Sequence, residues 1–207
     1  MTLGFLDRLR PQPRPAPQIV IEGLSQARAY WEGLRQGGAI PSRREVDPRG
    51  LVGVLDRVFL ADRIGRGIAQ IRIAGSGIAD FAGLDVRGLP LSCLFSAESR
   101  RQLADTLEQV LAGPAVAEID LGSDRAPGIG LVSRLLLLPL DDDAGGRLVL
   151  GVMGFGEKPP ARCKLQILSR REEALLLPQA PAATTESVMA PAPIRRLGHL
   201  ALVHSAE

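Results

Sequence analysis

Apolar residues recur with a helical period near the start of the chain and with a strand period further on. Ala27, Tyr30, Trp31 and Leu34 fall at i, i+3, i+4 and i+7, which predicts one amphipathic helix. Ser25 is its expected N-cap and Gly37-Gly38 its stop. Asp47-Pro48 predicts a second helical start, a cap followed by proline at the first helical position, with Leu51 and Leu55 on one face. The period then shortens to two. "DRVFLADRI" and "GIAQIRIA" flank Gly65-Arg66-Gly67, and Ile71 and Ile73 alternate with Gln70 and Arg72, as in a hairpin of half-buried strands. Short helical turns follow through Phe81 and Leu91, broken by Gly83, Gly88 and Pro90. A longer helix is predicted from a Ser96 cap, with Leu103, Leu107, Val110 and Leu111 on one face and Gly113-Pro114 at its end.

Three further strands are predicted. "VAEIDL" (116–121) alternates, "GLVSRLLLLPL" (130–140) is richly apolar, and "RLVLGVMGF" (147–155) follows the turn "DDDAGG". Beyond Pro159-Pro160 the pattern weakens. Strands without long alternating helices favour an antiparallel sheet with helices packed on one face, and the Trp31 helix is the candidate cover for the other. Residues 1–18 are expected to be a proline-rich linker, 19–177 a single domain, and 178–207 a Pro/Ala-rich tail without a core-forming pattern.

Composition narrows the classes. Of 207 residues 45% are hydrophobic but only 3% aromatic, so aliphatic side chains must fill the core. A net charge of +2 gives no electrostatic case for nucleic acid. No run approaches the length of a membrane span, and the N-terminus lacks the pattern of a signal peptide. Cys93 and Cys163 form no disulfide framework, which suits a reducing cytoplasm.

Gly75-Ser76-Gly77, between a strand and a helical segment, raises the question of a phosphate-binding loop. A dinucleotide fingerprint needs a third glycine where Asp80 stands, and the preceding strand pairs backwards in a hairpin instead of crossing over. No Gly-Lys-Ser/Thr follows, which excludes a P-loop. The turn is expected only to redirect the chain.

With those elements in place, the chain resembles the PAS domain, and more closely a PAS-like family of alphaproteobacterial regulatory proteins. Trp31, "IPSRREVDP" (40–48), "IRIAGSGIADFAGLDVRGLPL" (71–91) and "LLLLPLDDDAGGRLVLGVMGF" (135–155) carry the likeness, over roughly residues 25–156. The resemblance implies an α+β fold: a five-stranded antiparallel sheet with helices on one face and the N-terminal helix packing on the domain. It also implies a sensory or regulatory module, usually without catalysis, acting through an unidentified signalling protein. A small apolar ligand between sheet and helices and a second copy of the chain are the other candidate partners. Ile71, Ile73, Phe81, Leu107, Leu136 and Val152 are the expected lining of such a ligand cavity. An enzyme on the same scaffold, and a ligand-free interaction module with a filled core, are the alternatives.

The chemistry-bearing residues are weighed against that frame. Cys93 in "PLSCLFS" lies near the place of the adduct-forming cysteine in flavin-binding PAS photosensors, but the surrounding Asn and Gln partners are missing, so a small packing residue is expected. The only histidines, His199 and His204, fall in the tail, which leaves no core axial ligand for haem and no Ser-His-Asp system. No cofactor and no metal are therefore expected. Asp141, Asp142 and Asp143 read as a solvated turn. Arg43 and Asp47 are expected to form an ion pair that locks the first helix to the sheet, with contact to a ligand as the alternative role. In the tail, "IRRLGHLALVHSAE" joins a basic pair to one short apolar run, too little to establish docking.

Overall fold

Aliphatic strands too apolar to leave either face in water dictate the architecture, because they must be covered on both sides. A computed structural model describes residues 19–125, 131–142, 145–155 and 162–177. Six strands form one antiparallel sheet: β1 (Val58–Gly65), β2 (Ile68–Ala74), β3 (Ala115–Ser123), β4 (Ser133–Asp141), β5 (Arg147–Phe155) and β6 (Leu165–Ala174). Their order is β2-β1-β5-β4-β3-β6. Helices α2 (Ser76–Ala82) and α3 (Arg100–Leu111) lie on one face, and α1 (Ile19–Leu34) contacts the sheet from the other. The α+β class and the docked N-terminal helix are as expected; the sheet has six strands instead of five.

The two central strands divide their side chains between two cores. Leu135, Leu137, Val149 and Met153 join the cluster on the α2/α3 side, whereas Leu136, Leu138, Leu148, Leu150 and Val152 join the cluster beneath α1. Period two over a wholly apolar run sends alternate residues to opposite layers. The first cluster is the larger, with Phe59, Ile71, Ile78, Phe81, Phe95, Leu103 and Leu107 among its members. Leu103, Leu107, Val110 and Leu111 are all buried, which confirms the predicted stripe of α3. Phe59 of β1 lies across Gly151, its cross-strand partner on β5. A methyl group at Gly151 would come within 2.0 Å of the phenyl ring, so only glycine admits this packing.

Several boundaries differ from expectation for identifiable reasons. Helix α1 begins at Ile19, and Ser25 is an exposed interior residue instead of a cap. Its buried stripe runs Leu24, Ala27, Trp31, one turn further toward the N-terminus than Ser25 suggested. Asp47 does cap a turn starting at Pro48, but the chain makes two separate 3-10 turns, Pro48–Leu51 and Leu55–Arg57. Leu51 is buried and Leu55 is exposed, so the two share no face. Ser99, not Ser96, precedes α3. Its hydroxyl makes no capping bond and instead accepts from the Ile167 N–H of β6. The predicted linker 1–18, the tail 178–207 with its two histidines, and Asp143 lie outside the described residues. Asp142 does sit in the predicted turn between β4 and β5, where its N–H donates to Gly146 O and its carbonyl accepts from Gly145 N–H. Among the described residues no helix is long and apolar enough to cross a membrane.

Candidate functional site

The segment from Gly75 to Phe95 builds the end of the α2/α3 face, and its glycines settle the phosphate question. Gly75 N–H donates to Val58 O at 2.8 Å, which draws the start of α2 tight against the Leu55–Arg57 turn. A Cβ on Gly75 would sit 2.3 Å from Leu55 O, and one on Gly77 2.9 Å from Asp56 O. The glycines permit backbone-on-backbone contact, with a carbonyl row where an anion would need donors. The turn redirects the chain, as expected.

The six expected cavity residues do not line one space. Ile71, Phe81 and Leu107 share the core between sheet and α3. Leu136 and Val152, directly paired across β4 and β5, belong to the opposite core under α1. Ile73 is 49% exposed. A bulge explains it: Leu60 pairs with Ile73 and Ala61 with Ile71, so Arg72 is the extra residue and Ile73 turns to the other face. Between the sheet and α3 the side chains are aliphatic and aromatic, with Phe81 and Phe155 rings 5.3 Å apart. The fully or nearly buried polar side chains among the described residues are all hydroxyls: Ser96, Ser99, Thr106, Ser123 and Ser133. Thr106 donates to Glu172 of β6 at 2.9 Å, and Ser133 Oγ has no partner among the described residues.

"IPSRREVDP" positions α1, but not through the expected ion pair. Arg43 makes none among the described residues, and the Asp47 carboxylate is occupied in accepting from Arg49 N–H at 2.9 Å. The backbone of Asp47 makes the link instead. Tyr30 of α1 donates its hydroxyl to Asp47 O at 3.0 Å and accepts from Asp47 N–H at 2.7 Å. The next residue, the fully buried Trp31, donates its indole N–H to Pro139 O of β4 at 3.0 Å. Arg28 reaches the far edge of the sheet, 2.8 Å from Glu173 of β6, while Glu32 contacts both Arg28 and Arg35. Helix α1 is thus latched at its two flanks and through its centre. The tyrosine and tryptophan were legible as a stripe, but their hydrogen-bond partners, 17 and 108 residues away, were not.

Opposite α1, Glu108 of α3 pins the β1–β2 hairpin. Its carboxylate accepts from Gly67 N–H at 2.6 Å and from the Arg63 guanidinium at 2.7 Å. The Gly67 hydrogen bond, aided by Arg63 and Arg66, holds the Glu108 carboxyl below the usual glutamate range.

Cys93 and Cys163 are free thiols that meet at one place in the fold. Both line a cavity of about 370 Å³ between the end of α2, the Leu91–Leu94 turn and the entry to β6. Phe95 bridges Leu165 in parallel, and Lys164 Nζ donates to Cys93 O at 2.6 Å, which fastens the two segments together. Burial pushes the Cys93 thiol up, against the pull of Lys164 and Arg100. Cys93 packs against the large core, in keeping with the packing role expected for it. Sequence reading missed this cavity because the weak pattern beyond Pro159 concealed that β6 returns to Phe95.

No curated protein matches the chain. The sequence model of the PAS domain family matches residues 21–154, from the first described turns of α1 to the end of β5. That span covers well over half the chain and every strand but β6. The match, over the helix order and the antiparallel sheet described above, establishes that the chain belongs to the PAS domain family of sensory and signalling modules.

Proposed function

We propose that the chain is a non-catalytic regulatory module that works by protein interaction, as in the alphaproteobacterial regulators its motifs resemble. One observation carries this reading: the space between sheet and helices is closed by apolar side chains, and the buried polar side chains among the described residues are all hydroxyls, with no ionisable group. Acid–base or nucleophilic catalysis needs convergent ionisable groups within hydrogen-bond reach of one another. An enzyme on this scaffold would need such a constellation, and none is assembled in the α2/α3 core among the described residues. Two free thiols support a reducing, cytoplasmic compartment.

The mechanism is a population shift, in which a protein partner or a small apolar ligand favours one packing of the helices over another. Helix α1 is the element suited to this, because a few hydrogen bonds and ion pairs supplement one apolar stripe. The test is recovery of the tagged full chain from its own cells after brief cross-linking. A protein recovered in near-stoichiometric amount, and lost when Trp31→Ala loosens α1, is the expected result. Recovery of no such protein, together with turnover of a metabolite by the purified chain, would overturn the proposal.

A further inference from the structure

The cavity that holds the two cysteines has a chemistry of its own. Leu84, Leu89 and Leu94 give it an apolar wall, and Leu84 and Leu89 are exposed there at 51% and 37%. Two cations, Arg162 and Lys164, stand at the same cavity, and no acidic side chain among the described residues lines it. Lys164 uses one donor on Cys93 O and retains two more. The Arg162 side chain makes no hydrogen bond or ion pair among the described residues; its backbone N–H donates to Phe81 O at 3.0 Å. Arg162 is also the only described non-glycine residue with a positive φ, at +61°. In that conformation its side chain lies across Gly83, where a Cβ would come within 2.6 Å of Arg162 Cγ. The fold therefore holds a guanidinium without a partner among the described residues beside an apolar wall, on a backbone conformation that side chains rarely adopt.

We propose that this cavity binds a small amphipathic anion, with an aliphatic body against Leu84, Leu89 and Leu94 and a carboxylate on Arg162 and Lys164. The volume of about 370 Å³ lies at the lower end of the range for small-molecule sites and suits a medium-chain carboxylate. Charge-assisted hydrogen bonds to the head group provide orientation, and the leucines provide contact area. The inference goes beyond the interaction role and does not depend on it, since it rests on the cavity alone.

Decanoate, kept below its micelle concentration, is the probe, with decan-1-ol as its neutral counterpart. Titration of the full chain, followed by calorimetry and by leucine methyl NMR, is expected to give saturable one-site binding. The methyl shifts should centre on Leu84, Leu89 and Leu94. Decan-1-ol should bind at least tenfold more weakly. Arg162→Asn keeps a residue that tolerates the left-handed backbone. Combined with Lys164→Gln, it should weaken decanoate at least tenfold and leave decan-1-ol unchanged. Both side chains are exposed and Lys164→Gln keeps an amide donor that can serve Cys93 O, so the variant should still unfold in one cooperative thermal transition, which checks its fold directly. The proposal is overturned by equal affinity for acid and alcohol, by undiminished decanoate binding in the double variant, or by no saturable binding at millimolar probe.

Discussion

The two faces of the sheet are closed in different ways. On one, α2, α3, the Leu91–Leu94 turn and residues of all six strands interleave, so each buried side chain is held by neighbours from several elements. On the other, α1 with Leu51 and Val54 of the adjoining turn covers Leu136, Leu138, Leu148, Leu150 and Val152, and hydrogen bonds at Asp47 and Pro139 supplement the packing. A core shared among many elements opens only when the domain unfolds, whereas a layer that depends on one helix and the turn beside it can open by itself. The difference separates the part of the molecule that stores the fold from the part to which the proposed mechanism assigns regulation.

The largest expected effect falls on the α1 face. Trp31→Ala removes the one fully buried aromatic among the described residues of that face and the indole bond to Pro139, and should cost about 3–5 kcal/mol in denaturant unfolding. A change near zero would show that α1 contributes nothing to stability. On the other face, Gly151→Ala forces a methyl into the Phe59 ring and should cost about 1–3 kcal/mol, lowering the thermal midpoint of the whole domain. Equal local effects at the two sites would erase the distinction drawn here.

These two residues also show where the sequence was legible. Trp31 was readable as core because its neighbours keep a helical period over two turns. Strands β1–β3 were readable from alternation, and β4 and β5 from their apolar runs bounded by a turn. Strand β6, "LQILSRREEA", was not, since an edge strand stays polar and its charges find partners on distant elements: Arg28 for Glu173, Thr106 for Glu172, Gln102 O for Arg170. Ile73 failed because a single bulge reverses a period of two. Leu136 and Val152 failed because uniformly apolar strands do not reveal which alternate residue faces which layer. Arg43 failed because Tyr30 bonds the backbone of Asp47, a contact that side-chain charge does not announce.

Smaller effects sharpen the comparison. Tyr30→Phe deletes the hydroxyl that both donates to and accepts from Asp47, and should cost about 0.5–1.5 kcal/mol, with faster amide exchange confined to α1 and the Pro48–Leu51 turn. Acid acts on the opposite face. Because the folded carboxyl of Glu108 titrates below its ordinary value, its contribution is fully present above the unfolded glutamate range and is lost as pH falls through the lower folded value. Glu108→Gln should flatten that portion of the stability–pH curve and loosen the β1–β2 hairpin, read from amide exchange at Gly67, without affecting α1.

Native-state hydrogen exchange at increasing denaturant tests the division most directly, because it resolves local from global opening for each amide. The account predicts that amides of α1 exchange through a sub-global opening, with a free energy clearly below that of β5 and α3, which should exchange together at the global value. Coincident opening of α1, α3 and β5 at one free energy would contradict it.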